Sequence, residues 1–113
     1  MQAGLKLQPQ NAKLLLALAR ALILSERAKD AIDLMSQVAP DAVPGWQLSQ
    51  LRGQALIALG RWDEAKQVLP DALKLNPAPA DAHYFLGLVY QHDGDWRKAA
   101  DEFRTALEIL RKP

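Results

Sequence analysis

One skeleton, repeated at an offset of 34 residues, constrains this chain more than any other feature. Its clearest copy runs from Ala80 to Ala106 and carries Leu86, Gly87, Tyr90, Gly94, Trp96, Ala99, Phe103 and Ala106. One period earlier, Gly87 falls on Gly53, Gly94 on Gly60, Trp96 on Trp62, Ala99 on Ala65, Phe103 on Leu69 and Ala106 on Ala72. A period of this size marks units that cannot bury their apolar faces alone and do so by stacking on their neighbours. The expected object is therefore a solenoid.

Within each period the pattern is that of two helices and two breaks. Asn11 is placed to cap a helix over Ala12 to Leu24, in which Leu14, Leu15, Leu18, Leu22 and Ile23 recur at helical spacing. Ser25-Glu26-Arg27 is a turn, and Ala28 to about Ala39 a second helix, stopped by Pro40 and Pro44. The next pair is expected from about Trp46 to Leu59 and from Trp62 to Leu75, with Gly60 between them and Asn76-Pro77 after them. The third is expected from Ala80 to about His92 and from Trp96 to about Leu110, with Asp95 as cap. Pro70 falls inside one expected helix, where it removes a hydrogen bond and predicts a kink near Lys66 to Pro70. Small residues at Ala19, Gly53 and Gly87 let the two helices of a pair approach closely, with Ala31, Ala65 and Ala99 opposite. Trp62 and Trp96 begin the second helix at one repeat position and read as core residues.

These residues resemble the tetratricopeptide repeat, whose pattern is Trp-x2-Leu-Gly-x2-Tyr, then Ala-x3-Phe, then Pro. The third copy reads His83-x2-Leu86-Gly87-x2-Tyr90, then Ala99-x3-Phe103. The second reads Ser49-x2-Arg52-Gly53-x2-Leu56, then Ala65-x3-Leu69 and Pro77. The first is the most worn, with Leu15-x2-Leu18-Ala19-x2-Leu22 and Ala31-x3-Met35. The implied architecture is all-α: a right-handed α-solenoid of three antiparallel helix hairpins. The repeats occupy residues 12–45, 46–79 and 80–113 of one domain spanning 1–113. Residues 1–11 read as the tail of a preceding repeat, because Leu5-Lys6-Leu7-Gln8-Pro9 matches Leu73-Lys74-Leu75-Asn76-Pro77. The chain is accordingly expected to be a piece of a longer repeat protein.

The resemblance implies function through a concave groove lined by the first helix of each repeat. Carried over position by position, the groove candidates are Lys13, Leu16, Ala17 and Arg20; then Gln47, Gln50, Leu51 and Gln54; then Asp81, Tyr84, Phe85, Leu88 and His92. Glutamines suit a peptide main chain, Tyr84 and Leu88 its side chains, and Arg20 an acidic group. A solvated inner face without a ligand is the other reading. Members of the family that clamp acidic chaperone tails hold them with lysines, asparagines and an arginine. The corresponding positions here are Leu16, Arg20, Leu51, Asp81 and Phe85, which do not fit that role.

Composition narrows the function classes. Among 113 residues the formal net charge is +1, so no electrostatic pull toward nucleic acid or an acidic membrane is expected. Cysteine is absent, which excludes disulfides and thiolate metal sites. His83 and His92 are nine residues apart and do not form a paired metal site. Asp93-Gly94-Asp95 lacks the later ligands of a calcium loop. No nucleophile elbow, phosphate-cradling loop or zinc cluster is present, so the expectation is a non-enzyme without cofactor or metal. The apolar run Lys13 to Leu24 is too short to span a bilayer and carries Arg20; it reads as a solenoid helix, with a signal-peptide core as the other reading. Compartment is left open.

Two functions follow as expectations. One is a protein-interaction scaffold that takes a peptide or partner helix in the groove. The other is a structural or oligomerising spacer attached to an enzyme or secretion domain. The last helix carries Phe103, Ala106, Leu107, Ile109 and Leu110, more apolar surface than its own partner helix can cover. Either the parent chain supplies another helix there, or a second copy covers the face; a homodimer through that helix is the expectation, with two-fold pairing as its simplest form.

Overall fold

The computed structural model describes residues 9–38, 45–74 and 80–111. Among them it holds six helices and no strand: α1 (Pro9–Leu24), α2 (Ala28–Met35), α3 (Gly45–Ala58), α4 (Trp62–Ala72), α5 (Ala80–His92) and α6 (Trp96–Arg111). They pair as the hairpins α1–α2, α3–α4 and α5–α6, and successive hairpins stack through α2–α3 and α4–α5. In addition α1 touches α3 and α3 touches α5, whereas α2, α4 and α6 do not touch one another. The first helices are thus closely spaced and the second helices splayed. That asymmetry sets the curvature, and the two kinds of helix face opposite sides of the solenoid.

The turn inside each hairpin shows what the sequence must supply. Glu26, Gly60 and Gly94 occupy equivalent positions and have φ of 65°, 75° and 81°. The N–H of the next residue then bonds back to the end of the first helix. Arg27 reaches the Leu22 carbonyl at 2.7 Å, Arg61 that of Leu56 at 2.8 Å and Asp95 that of Tyr90 at 2.9 Å. These bonds satisfy carbonyls that the helix leaves open. Glycine takes this backbone without strain, while Glu26 adopts it despite its Cβ. Asp95 then caps α6, its Oδ1 accepting the Lys98 N–H at 3.1 Å.

Close approach within the hairpins explains two further glycines. A Cβ on Gly53 would collide with the Leu69 side chain. One on Gly87 would stand 2.5 Å from Cε1 of Phe103. Met35 and Leu69, at matching positions of α2 and α4, are fully buried. One core cluster joins Leu16, Ala19, Ile23, Ala31 and Met35 to Leu48, Leu51 and Ala55 of the next hairpin. A second joins Leu56, Ala65 and Leu69 to Leu86 and Val89. Each cluster thus crosses a stacking joint, as a solenoid requires.

Several expectations change. Helix α1 begins at Pro9, so Asn11 stands inside it and is not its cap. Proline suits a first helical position, where its fixed φ fits and its missing N–H would have had no partner. Helix α2 ends at Met35, and Ser36 to Val38 continue as turns. The helical backbone of α4 is continuous through Pro70 and stops at Ala72. The geometry changes just after the proline, where Leu73 N–H bonds to the Pro70 carbonyl at 3.0 Å. Leu75 and Asn76-Pro77 lie outside the described residues, as do Ala39 to Pro44, the matched stretch at Leu5 to Gln8, and Lys112 with Pro113.

Three apolar residues expected inside are exposed: Leu14 at 68%, Leu18 at 51% and Trp96 at 65%. The reason is stacking. Leu48 and Ala82, the equivalents of Leu14, are buried where α3 and α5 lie against the preceding second helix. No described helix precedes α1 or follows α6.

Candidate functional site

The first helices present one face of each to a shared hollow. Spacings of three and four residues along α1 align Lys13, Leu16, Ala17 and Arg20. The same spacing along α3 aligns Trp46, Gln47, Gln50 and Leu51. Together with Asp81 from the first turn of α5, these residues enclose a cavity of about 470 Å3. That volume falls within the range of ordinary ligand pockets.

Its floor is apolar. Leu16 and Leu51 are buried members of the first core cluster, so the cavity bottoms on packed hydrophobic side chains. Its rim is charged. Lys13 and Arg20 are exposed on the α1 wall, and Asp81 is exposed on the α5 wall. None of the three makes an ion pair among the described residues, although many of the chain's other charges do. The cavity is therefore positive on one side and negative on the other.

Gln50 is the exceptional residue of the wall. It is only 6% exposed, and its Oε1 has no hydrogen-bond partner among the described residues. A buried acceptor left unpaired costs about 1–3 kcal/mol. It is the one buried polar residue among the described residues. It sits in the centre helix of the inner face, against a cavity with an apolar floor.

The expected groove residues divide into three groups. Lys13, Leu16, Arg20, Gln47, Gln50 and Asp81 come together around the cavity. Tyr84 does not; it borders a second hollow of about 250 Å3 with Ala80, Asp81, Phe103, Ala106, Leu107 and Leu110. Its ring lies tilted on Phe85 and Phe103, with centroids 5.5 and 6.0 Å away. Gln54 and Leu88 are half-buried farther along α3 and α5 and line neither hollow. His92 is stacked on Trp62, with ring centroids 4.2 Å apart and planes 7° from parallel. It lines neither hollow and ties α4 to α5.

Trp46 lines the cavity and was not among the expected groove residues. The signal was present, because Trp46 stands four residues before Gln50 and so shares its helix face. His83 is half-buried, its Nδ1 2.8 Å from Oε1 of Glu102, a polar clasp between α5 and α6. Among the described residues no three His, Asp or Glu side chains converge as a metal site would need. No described helix is long and apolar enough to cross a membrane.

Comparison with known proteins agrees with this geometry. The family model described as tetratricopeptide repeat matches residues 51–112. The chain is 31% identical over 103 residues to BBSome complex member BBS4 of Bos taurus, covering 91% of this chain and 20% of that protein. It is 32% identical over 101 residues to cellulose synthase 2 operon protein C of Komagataeibacter xylinus, covering 80% of this chain and 8% of that protein. The chain thus spans a fifth or less of either relative's length. The repeated skeleton, the three stacked hairpins and the matched family model lead to one assignment: this chain belongs to the tetratricopeptide repeat family.

Proposed function

We propose that this chain is a protein-interaction module that holds an extended peptide segment of a protein partner in the cavity between α1, α3 and α5. The family generally mediates protein–protein interaction, and its repeats are typically non-catalytic. One relative is by name a member of a complex, which supports an assembly role for this chain too.

The single observation that carries the reading is the buried Oε1 of Gln50, without a hydrogen-bond partner among the described residues, in the wall of an apolar-floored cavity. An extended peptide offers main-chain N–H groups at regular spacing, and one of them can donate to the Gln50 oxygen. The ligand's apolar side chain rests on Leu16 and Leu51. Its acidic side chain lies toward Lys13 and Arg20, its basic one toward Asp81. Gln47 contributes a second amide. Tyr84, Gln54, Leu88 and His92 belong to the wider inner face along which a longer segment extends. A protein partner is favoured over nucleic acid, because a net charge of +1 gives no phosphate-binding field.

A random peptide library displayed on phage tests this. The wild-type chain should enrich peptides with an acidic residue beside an apolar one, and Arg20→Glu should erase the acidic preference. Ala17→Trp, which fills the cavity from an exposed position, should abolish enrichment. Equal enrichment on wild type and Ala17→Trp would overturn the proposal.

A second reading has its own observation. The apolar hollow at α6, with Leu107 54% and Leu110 73% exposed, favours self-association through the C-terminal helix. In that role the chain is an oligomerising spacer for whatever domains accompany it. Light scattering that shows a single-chain mass at every concentration would exclude it.

A further inference from the structure

Trp46 has no aromatic counterpart in the other hairpins. Its repeat position is held by Ala12 in the first and by Ala80 in the third. Ala12 is fully buried, so a methyl group suffices for packing there. The indole instead lines the cavity and is half-buried. Among the described residues no other ring stacks on it and no cation lies over its face. The face of an indole carries negative charge density and attracts a cation.

Two acceptors share that side of the cavity. The Oε1 of Gln50, one helical turn along α3 from Trp46, is buried and has no donor among the described residues. The Asp81 carboxylate is exposed and makes no ion pair among the described residues. Asp81 and Gln47 hold one repeat position on touching helices, which puts the carboxylate beside the first turn of α3, at the level of Trp46. The cavity's own cations stand on the far wall. Lys13 and Arg20 belong to α1, and α1 does not touch α5 among the described residues. An aromatic face, a carboxylate and a bare amide oxygen thus line the α3–α5 side, all of them electron-rich.

We propose that this side of the cavity is an arginine-anchoring subsite, in which the guanidinium of a partner's arginine lies flat on Trp46 and donates to Asp81. The anchor presupposes the peptide occupancy proposed above and names the side chain that fixes the peptide's register. The main-chain N–H of the anchoring residue donates to Gln50 Oε1. Its side chain then has one helical turn, about 5.4 Å, to cross before it reaches Trp46 and Asp81. Only arginine and lysine are both basic and long enough. Arginine is the better fit, because its plane stacks on an indole and its fork matches a carboxylate. The acidic residue of the same peptide lies toward α1, so the site reads the two charges in one order.

Changing the peptide rather than the protein tests this without disturbing the fold. The most enriched peptide from the wild-type phage selection is made with arginine, with lysine, and with citrulline, which keeps the shape and removes the charge. Fluorescence anisotropy on wild type should show the lysine peptide about threefold weaker and the citrulline peptide about tenfold weaker. On Asp81→Asn, an exposed position, the loss on going from arginine to citrulline should shrink to about threefold. On Trp46→Ala the arginine peptide should lose its advantage over the lysine one. Equal affinities of the arginine and citrulline peptides on wild type, or the same loss on wild type and Asp81→Asn, would overturn the anchor. Selection on wild type that enriches no arginine, while Ala17→Trp still abolishes enrichment, would overturn the anchor and leave the peptide reading standing. Enrichment that is equal on wild type and Ala17→Trp would overturn both.

Discussion

The indole of Trp62 lies parallel to the imidazole of His92, 4.2 Å away, across the joint between the second and third hairpins. Trp96 holds the same repeat position on α6 and is 65% exposed. The residues are alike and their surroundings are not. In dilute solution Trp62→Ala should cost about 2 kcal/mol through lost packing and stacking. Trp96→Ala should fall within about 0.5 kcal/mol. Urea titration of both variants checks this, and equal losses would contradict the stacking account.

The hairpin turn makes a second comparison. Glu26 has φ of 65° at the position where the other turns use Gly60 and Gly94. A side chain in left-handed backbone costs roughly 1–2 kcal/mol. Glu26→Gly should therefore stabilise the chain by about 1 kcal/mol, while Gly94→Ala should destabilise it by a similar amount. Thermal unfolding of both measures the sign. A loss on Glu26→Gly would mean that the glutamate side chain contributes more than its backbone strain.

The worn first repeat shows how far the sequence could be read. The register without a gap from Leu15 through Leu18-Ala19 to Ala31 and Met35 announced a hairpin, and Ala19, Ala31 and Met35 are all fully buried. The turn at Glu26 was placed without the glycine that marks it elsewhere. The choice of face was harder. Leu14 and Leu18 have the spacing of core residues, yet burial there depends on a neighbouring helix, which local periodicity cannot report. Trp96 failed as a core residue for the same reason. At the site, Lys13, Arg20, Gln47, Gln50 and Asp81 converge because the first helices share one inner face, and helical spacing orders them along it. His92 has that spacing too, but a tryptophan one helix away captures it. Only the relation between neighbouring hairpins could have shown this.

A third prediction concerns the same joint. Lys66 of α4 pairs with Asp93 after α5, and this hydrogen bond holds the ammonium above the ordinary lysine value despite some desolvation. A raised folded-state value means the contribution is fully present below the unfolded lysine pKa and is lost as pH rises through the folded one. Wild type should thus exceed Asp93→Asn in urea midpoint at pH 7, and the gap should close in the alkaline range above about pH 10.5. The effect is small, because both side chains are partly exposed. A gap that widened with pH would contradict the pairing.

A fourth prediction separates stability from binding at Gln50. Replacing this side chain, whose buried oxygen has no partner among the described residues, with an apolar one of similar size removes an unmet desolvation cost. Gln50→Leu should raise stability by about 1 kcal/mol while weakening peptides selected on wild type by about tenfold or more. Unfolding and fluorescence anisotropy on one preparation give both numbers. A destabilised variant would mean that the amide is already satisfied.

The central claim, that a partner lies along the inner face between α1, α3 and α5, is tested most directly by amide chemical shifts. A peptide enriched by wild-type selection is titrated into the 15N-labelled chain. The account predicts that the largest shifts occur at Lys13, Ala17, Arg20, Gln47, Gln50 and Asp81, with the Gln50 side-chain amide among them. Shifts concentrated instead on the outer helices α2 and α4, with these residues unmoved, would contradict it.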